Sequence, residues 1–125
     1  MMAQRAPITQ RTILIVEDEV LFRLELADLF EASGYRVVEA GDADEAIAIL
    51  DDDPSISIVL TDIQMPGAMD GLRLAHHVRD RFPPVSLVIA SGALRPSASE
   101  LPERSLYLAK PFNPFKLLRQ LNEAA

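Results

Sequence analysis

The sequence predicts an α/β fold in which a doubly wound, five-stranded parallel sheet carries helices on both faces. Segments with the composition of strands alternate with segments of helical periodicity, and this alternation is typical of parallel sheets with right-handed crossovers. The first strand segment, residues 13–16, is wholly aliphatic, as expected of a strand buried on both faces. With 125 residues and no cysteine, the chain is long enough to form one domain around a core without a disulfide.

The first half of the chain contains two predicted strand and helix units. After the first strand, residues 19–33 are predicted to be helical because their apolar residues recur on one helical face: Phe22, Leu26, Leu29 and Phe30. Gly34 suits the C-terminal cap of this helix. Residues 35–39 form the second predicted strand. Asp42 and Glu45 then make a capping box that opens the second helix.

The second half of the chain contains the other three strands. Asp70 is predicted to cap the third helix, which ends before Pro83. Asn113 is predicted to cap the last helix, with proline in its first position. Between the fourth and fifth strands, Pro96 and Pro102 leave room for only about one turn, so the fourth helix is expected to be short or absent. The remaining predicted strands are residues 56–61, 85–90 and 106–109.

Charge and composition exclude several classes of function. Twelve basic and nineteen acidic side chains give a formal charge of −7, which would repel a nucleic-acid backbone. No apolar run approaches the roughly 20 residues of a membrane-spanning helix, and no signal peptide is recognisable. We therefore expect a cytoplasmic protein that binds neither nucleic acid nor membranes. Residues 1–11 are expected to form a disordered or loosely ordered tail before a domain at residues 12–125.

Reactive side chains follow four of the five predicted strands. Glu17 and Asp18 follow the first strand, Asp62 the third, Ser91 the fourth and Lys110 the fifth. The carboxyl ends of parallel strands meet at one edge of the sheet, where ligands bind in α/β folds. Three carboxylates gathered there would raise one another's pKa values unless a cation lay among them. This edge is therefore the predicted site.

The oxygen ligands predict a Mg²⁺ site that carries out phosphoryl chemistry. Mg²⁺ prefers carboxylate, carbonyl and water oxygens. The Lys110 ammonium and the Ser91 hydroxyl are the groups needed to stabilise a phosphoryl group beside such an ion. A carboxylate can itself act as the nucleophile and form an acyl phosphate. Asp62 is the acid expected to project into the middle of the crevice.

Each of these residues also has an ordinary structural interpretation when it is considered alone. Asp18 could cap the first helix, Ser91 opens a common turn with the glycine that follows it, and Lys110 could be a solvated lysine. The pair His76 and His77 is predicted to lie on the helix surface without a role. Only the joint position of the other residues at one edge favours a phosphoryl-transfer site.

At these residues the chain resembles the receiver domains of two-component response regulators. The resemblance spans nearly the whole chain and rests on LIVEDE, LTDIQMPG, ASG and KPF, at residues 14–19, 60–67, 90–92 and 110–112. It implies a flavodoxin-like strand order of 2-1-3-4-5. It also implies a stand-alone receiver domain over residues 12–125, with no attached output domain.

The resemblance assigns a role to each residue of the predicted site. Asp62 would be the phosphoacceptor, and Ser91 and Lys110 would bind the phosphoryl group. Ser91 and Tyr107 would form the switch that responds to phosphorylation. The peptide bond from Lys110 to Pro111 is expected to be cis. The Mg²⁺ ligands would be Asp18, Asp62, Glu17 through a water molecule, and the backbone carbonyl of Gln64.

The predicted function is a phosphorylation-dependent signalling switch rather than an enzyme, with only slow autodephosphorylation. The phosphoryl group would come from a histidine kinase or a histidine phosphotransfer protein. The protein would then contact a downstream partner, relay the phosphoryl group in a phosphorelay or drain it. Residues 92–105 are expected to exchange amide hydrogens rapidly and to reorganise on phosphorylation.

Two other functions are compatible with parts of the pattern. A small Mg²⁺-dependent phosphatase with an aspartyl nucleophile also places an Asp after a parallel strand. Such enzymes carry a second acid two residues later, where this chain has Gln64. A phosphate-independent interaction module would keep the fold without the chemistry, and the presence of Glu17, Asp18, Asp62 and Lys110 argues against it.

Overall fold

The computed structural model describes residues 11–65, 70–92 and 95–124. Residues 1–10 of the predicted tail, which was expected to cover residues 1–11, and the PG of the LTDIQMPG motif lie outside these residues. The strands are β1 (Thr12–Val16), β2 (Arg36–Ala40), β3 (Ile56–Asp62), β4 (Ser86–Ser91) and β5 (Ser105–Ala109). The helices are α1 (Val20–Ala32), α2 (Ala43–Asp52), α3 (Gly71–Arg81) and α4 (Pro114–Ala124). The predicted alternation of strands and helices is confirmed.

The five strands form one parallel sheet in the order β2-β1-β3-β4-β5, which confirms the predicted order. The register aligns the carboxyl ends of the inner strands. Val16 at the end of β1 pairs with Thr61, and Asp62 at the end of β3 pairs with Ala90. Residues that follow these strands are therefore neighbours at one edge of the sheet.

The core consists of two apolar clusters, one on each face of the sheet. Successive residues of a strand point to opposite faces, so β1 contributes alternate side chains to both clusters. Leu14 and Val16 pack with α2 and α3, whereas Ile13 and Ile15 pack with α1 and α4. This two-sided burial explains why the first strand is aliphatic throughout.

The helix starts follow the predicted capping residues, with one exception. Side-chain oxygens of Asp42, Asp70 and Asn113 accept hydrogen bonds from first-turn N–H groups at 2.8 to 2.9 Å. The N-cap of α1 is Glu19, whose side chain makes no capping hydrogen bond. Asp18 is therefore not the cap of α1, and the structural interpretation of this residue loses its support.

Within its described part, residues 95–104, the segment between β4 and β5 contains one 3₁₀ turn at Ala98–Glu100, so the predicted fourth helix is reduced to about one turn between Pro96 and Pro102. Arg79 of α3 holds the end of this segment, because its guanidinium donates hydrogen bonds to the carbonyls of Glu103 (2.8 Å) and Arg104 (3.2 Å). The same guanidinium donates to two carbonyls of the turn between α3 and β4. Arg79 thus joins two neighbouring turns.

The two histidines of α3 differ in exposure. His76 is exposed, and its Nε2 lies 2.6 Å from the carbonyl oxygen of Glu100. His77 is half-buried, and its Nε2 has no hydrogen-bond partner within the described residues. The prediction of a surface position is therefore wrong for His77, which lies next to the buried Val78 on the same helix.

No helix within the described residues is both long enough and apolar enough to cross a membrane.

Candidate functional site

Three carboxylates meet at the carboxyl ends of β1 and β3. One carboxylate oxygen from each of Glu17, Asp18 and Asp62 lies within 4.8 Å of the others. Glu17 is 3% exposed, Asp62 is half-buried and Asp18 is exposed. The cluster therefore extends from the interior of the domain to its surface, as the predicted site requires.

Hydrogen bonds hold both the backbone and the side chain of Glu17 in place. Its backbone N–H donates to the carbonyl of Ala40 at 3.0 Å, which extends the pairing of β1 with β2 by one residue. Its Oε2 accepts a hydrogen bond from the backbone N–H of Glu19 at 3.0 Å. Its Oε1 accepts one from Nζ of Lys110, also at 3.0 Å. These contacts direct the carboxylate into the crevice.

Lys110 brings the only ammonium that the described residues place among these acids. Its Nζ lies 3.0 Å from Oε1 of Glu17 and 3.5 Å from Oδ2 of Asp62. Its backbone N–H donates to the carbonyl of Ser91 at 2.8 Å, which continues the pairing of β4 with β5. The bond from Lys110 to Pro111 is cis, as predicted, and the side chain points into the crevice.

The charges of the cluster are not balanced by the protein alone. Burial raises the pKa of Glu17, although the Glu19 N–H and the Lys110 ammonium oppose this effect. Burial also raises the pKa of Asp62, against the opposing effect of Lys110. One ammonium among three carboxylates leaves a net negative charge, which a divalent cation would neutralise.

Ser91 and Tyr107 lie on the side of the crevice formed by β4 and β5. Ser91 is fully buried and follows Ala90, the residue that pairs with Asp62. Tyr107 is half-buried, pairs with Ile89 and packs against the cluster on the face of α2 and α3. The two switch candidates are therefore on adjacent strands, with Ser91 beside the acid.

Gln64 is joined to the site through its backbone. Its N–H donates a hydrogen bond to the carboxylate of Asp62, while its side chain is exposed. The predicted use of its carbonyl as a metal ligand stays a prediction.

Gly71 is a site residue that the sequence did not indicate. A Cβ atom at this position would lie 1.7 Å from the carbonyl oxygen of Asp62, so only glycine lets α3 approach β3 so closely. The Gly71 N–H donates to the carbonyl of Ile63 at 2.8 Å. The signal available in the sequence is a glycine directly after Asp70, the predicted cap of this helix.

Arg23 is a second residue that sequence analysis missed. Its Nη1 donates to the backbone carbonyl of Glu17 at 2.8 Å, and its Nε forms an ion pair with Glu39 at 3.1 Å. Arg23 thus connects α1 with the ends of β1 and β2 behind the acids. The position of a single arginine in the sequence does not predict such a contact.

The donor set fits Mg²⁺. All the candidate side-chain ligands are carboxylate oxygens, which are the ligands that this hard ion prefers. Burial raises the pKa values of Glu17 and Asp62, and a bound divalent cation would oppose that effect by favouring the ionised carboxylates.

The comparisons with known proteins agree with this geometry. Residues 13–122 match the response regulator receiver domain. The chain belongs to this family. Receiver domains are the phosphoacceptor switches of two-component systems, and they typically bind Mg²⁺ in an acidic pocket, which corresponds here to Glu17, Asp18 and Asp62.

Individual relatives of this receiver domain support the assignment. The aerobic respiration control protein ArcA of Escherichia coli K12 is 39% identical over 114 residues, covering 84% of this chain and 44% of ArcA. The chain spans between about a quarter and about half of the length of the curated relatives that it matches. A CheY-like receiver domain protein from Methanospirillum hungatei JF-1 has a TM-score of 0.82 at 26% identity, covering 93% of this chain and 94% of that one.

A further solved structure contains a ligand. It is the response regulator protein TrrA from Thermotoga maritima, in complex with Mg(2+)-BeF. The TM-score is 0.80 at 25% identity, and the match covers 93% of this receiver domain and 100% of TrrA.

Proposed function

We propose that this receiver domain accepts a phosphoryl group on Asp62 from a histidine kinase or a histidine phosphotransfer protein. The observation that carries the proposal is the position of Asp62. Its carboxylate is half-buried at the carboxyl end of a central strand, 3.5 Å from an ammonium and beside two further acids. Asp62 caps none of the described helices, and the nearby ammonium could bind the oxygens of an incoming phosphoryl group, so this carboxylate suits the role of a nucleophile.

The proposed reaction transfers the phosphoryl group from nitrogen to oxygen. A carboxylate oxygen of Asp62 attacks the phosphorus of a phosphohistidine, and the bond between phosphorus and the imidazole nitrogen breaks. That nitrogen keeps the electron pair, and the donor leaves as a neutral imidazole either because its other ring nitrogen already carries a proton or because the leaving nitrogen takes one up from solvent. In this proposal Lys110, 3.5 Å from Asp62, and Ser91, which follows the residue paired with Asp62, would bind the oxygens of the transferred group.

We further propose that the reaction requires Mg²⁺. Asp18, Asp62, Glu17 through a water molecule, and the Gln64 carbonyl would hold the ion. When bound, Mg²⁺ neutralises charge on the phosphoryl oxygens. The acidic cluster supports this assignment, and so does the complex of TrrA with Mg(2+)-BeF.

The surface beside the crevice supports docking of a protein phosphodonor. A groove of about 360 Å³ opens next to Lys110, between α1 and the start of α4. Large apolar side chains on these two helices are exposed: Val20, Leu21, Leu24 and Phe115. These side chains lie on the two helices that flank the groove, so a protein phosphodonor that docks there could bury them.

The proposed output is a change on the side of β4 and β5. A phosphoryl group adds nearly two negative charges and three acceptor oxygens, which is sufficient to reorganise the surroundings of a neighbouring hydroxyl. Ser91 would respond first, Tyr107 on the adjacent strand would follow, and the short segment before β5 would present the change to a partner.

Acetyl phosphate provides a direct test of the acceptor. Incubation with acetyl phosphate and Mg²⁺, followed by intact-mass analysis, should show the gain of one phosphoryl group that hydroxylamine removes. The gain should be lost in Asp62→Asn, which keeps the size of the side chain, and in the presence of excess chelator. Labelling that persists in Asp62→Asn would refute the acceptor, and labelling that persists in chelator would refute the metal requirement.

The same experiment separates the rival functions. A phosphatase would release phosphate over many turnovers without accumulating the labelled form. An interaction module would neither become labelled nor turn over. A single stable label that is transferred from a phosphorylated histidine protein is the expected result.

A further inference from the structure

The aromatic ring of Phe22 contacts the Lys110 ammonium. Nζ of Lys110 lies 4.8 Å from the centre of the ring, within the roughly 6 Å over which a cation is attracted to an aromatic face. Phe22 lies in the first turn of α1, close to the acids that follow β1. The contact therefore links α1 directly to the residue that we propose to bind the phosphoryl group.

The two carboxylates that pair with the Lys110 ammonium are also candidate metal ligands. The ammonium is paired with Glu17 at 3.0 Å and Asp62 at 3.5 Å, and both carboxylates belong to the acidic cluster. Their charge is shared with a metal ion whenever the cluster holds one, and Asp62 is consumed as the nucleophile. The ring of Phe22 has no atom that can bind a metal, so its attraction for the ammonium does not depend on metal binding.

The ring itself is held in place by packing. Phe22 is half-buried against the cluster on the face of α1 and α4, and it makes an edge-to-face contact with Phe112 at 6.1 Å between centroids. It borders the inner side of the crevice together with Glu17 and Asp62, and it also lines the outer groove. A fixed ring at this boundary can orient an ammonium that reaches past it.

We propose that Phe22 is a positioning residue, whose ring holds the Lys110 ammonium at the crevice while Glu17 and Asp62 are engaged with metal and phosphoryl group. This inference rests on the proposed function, because it concerns the lysine that would bind the transferred group. A ring is required by this role, and an aliphatic side chain of similar size does not fulfil it. The effect of the ring is exerted through Lys110 alone.

Two readouts distinguish this role from simple packing. The first is the chemical shift of the Lys110 methylene protons nearest Nζ, which an adjacent ring moves upfield whether or not the protein is active. The second is the rate of labelling by acetyl phosphate at saturating Mg²⁺. Both are measured for the wild type, for Phe22→Leu and Phe22→Tyr, and for Phe112→Leu, which removes a neighbouring ring that does not contact the ammonium in the structure.

Phe22→Leu should abolish the upfield shift and slow labelling by about fivefold. Phe22→Tyr should restore both to within about twofold of the wild type, and Phe112→Leu should change labelling less than Phe22→Leu does. In a Lys110→Ala background, Phe22→Leu should have no further effect, because the two residues act together. Melting temperatures identify any variant that is poorly folded, and Phe22→Met then replaces Phe22→Leu.

The outcomes separate the inference from the function on which it rests. If the wild type is labelled and Phe22→Leu is labelled at the same rate, the proposed role of Phe22 is overturned and the proposed function is not affected. Equal losses from Phe22→Leu with and without Lys110 would also overturn it. A wild type that is never labelled would overturn the proposed function itself.

Discussion

The ammonium of Lys110 forms its closest ion pair with Glu17, at 3.0 Å. Lys110 is therefore the positive charge that partly compensates the most deeply buried acid of the cluster. A bound divalent cation and this ammonium would repel each other across a few ångströms. The affinity for the metal and the reactivity toward a phosphodonor should consequently respond in opposite directions when Lys110 is removed.

We expect Lys110→Ala to bind Mg²⁺ about fivefold more tightly, because one competing positive charge is lost. The same variant should be labelled by acetyl phosphate about tenfold more slowly or worse, because the phosphoryl oxygens lose a partner. Titration calorimetry and intact-mass kinetics measure the two quantities. Lys116→Ala, an exposed lysine of α4, is the control, and weaker Mg²⁺ binding by Lys110→Ala would contradict the assignment.

The raised pKa of Glu17 predicts how stability depends on pH. Because burial raises this pKa, the folded state retains a proton that the unfolded state releases above about pH 4. The contribution of Glu17 to stability is complete below that pH and is lost as the pH rises through the raised pKa. In Glu17→Gln this loss does not occur.

Without added Mg²⁺, Glu17→Gln should therefore gain stability over the wild type as the pH rises to neutrality. We expect the Tm of Glu17→Gln to exceed that of the wild type near neutrality and the difference to shrink toward pH 4. Thermal unfolding from pH 4 to 7.5 measures it. A difference that is constant with pH, or largest in acid, would show that burial does not govern this carboxylate.

The contact between Gly71 and the Asp62 carbonyl predicts a costly substitution. In Gly71→Ala the new methyl group conflicts with backbone atoms on β3 that cannot move independently, so we expect a loss of about 1–3 kcal/mol and slower labelling. Urea denaturation gives the free energy of unfolding. Gly92→Ala is the matched control for stability, since no atom lies within 4 Å of a Cβ there. Equal stabilities of the two variants would contradict the close approach.

The hydrogen bonds of Arg79 predict which part of the segment before β5 is held. Arg79→Met keeps the apolar stem and removes four donors to backbone carbonyls, so we expect a loss of about 2 kcal/mol. Amide exchange should accelerate most at residues 103–106. Arg81→Met, which loses an exposed ion pair with Asp51 at 3.5 Å and a contact with the Phe82 ring at 5.8 Å, should change stability by less than about 0.5 kcal/mol. Unchanged exchange in Arg79→Met would mean that other contacts hold the segment.

Sequence patterns predicted the strands and the strand ends because periodicity reports which residues are buried. That is why Glu17, Asp62 and Lys110 could be assigned to one edge before their distances were known. Periodicity also assigned Phe22 to the apolar face of α1, but it could not identify Lys110 as its partner, since that contact depends on how β5 ends. For the same reason the backbone contact of Gly71 and the half-buried position of His77 were not foreseen.

Long polar side chains were the other source of omissions. Arg23 and Arg79 both act through backbone carbonyls of segments that are distant in the chain or in another element. Every residue has a backbone carbonyl, so the sequence does not indicate which carbonyl a given arginine will bind. Such contacts become visible only when the elements have been packed together.

The two strands that bear the acid and the ammonium differ greatly in their surroundings. β1 is paired on both sides and every one of its residues is buried, whereas β5 is paired only with β4 and every one of its residues is half-buried. Elements with fewer buried contacts open at lower free energy. The side of the crevice that carries Glu17 and Asp18 is therefore expected to be rigid. The side that carries Lys110 is expected to be more flexible. Under the proposed function, we expect any adjustment to the shape of a phosphodonor to occur on the side that carries Lys110, while the buried β1 strand keeps the positions of Glu17 and Asp18.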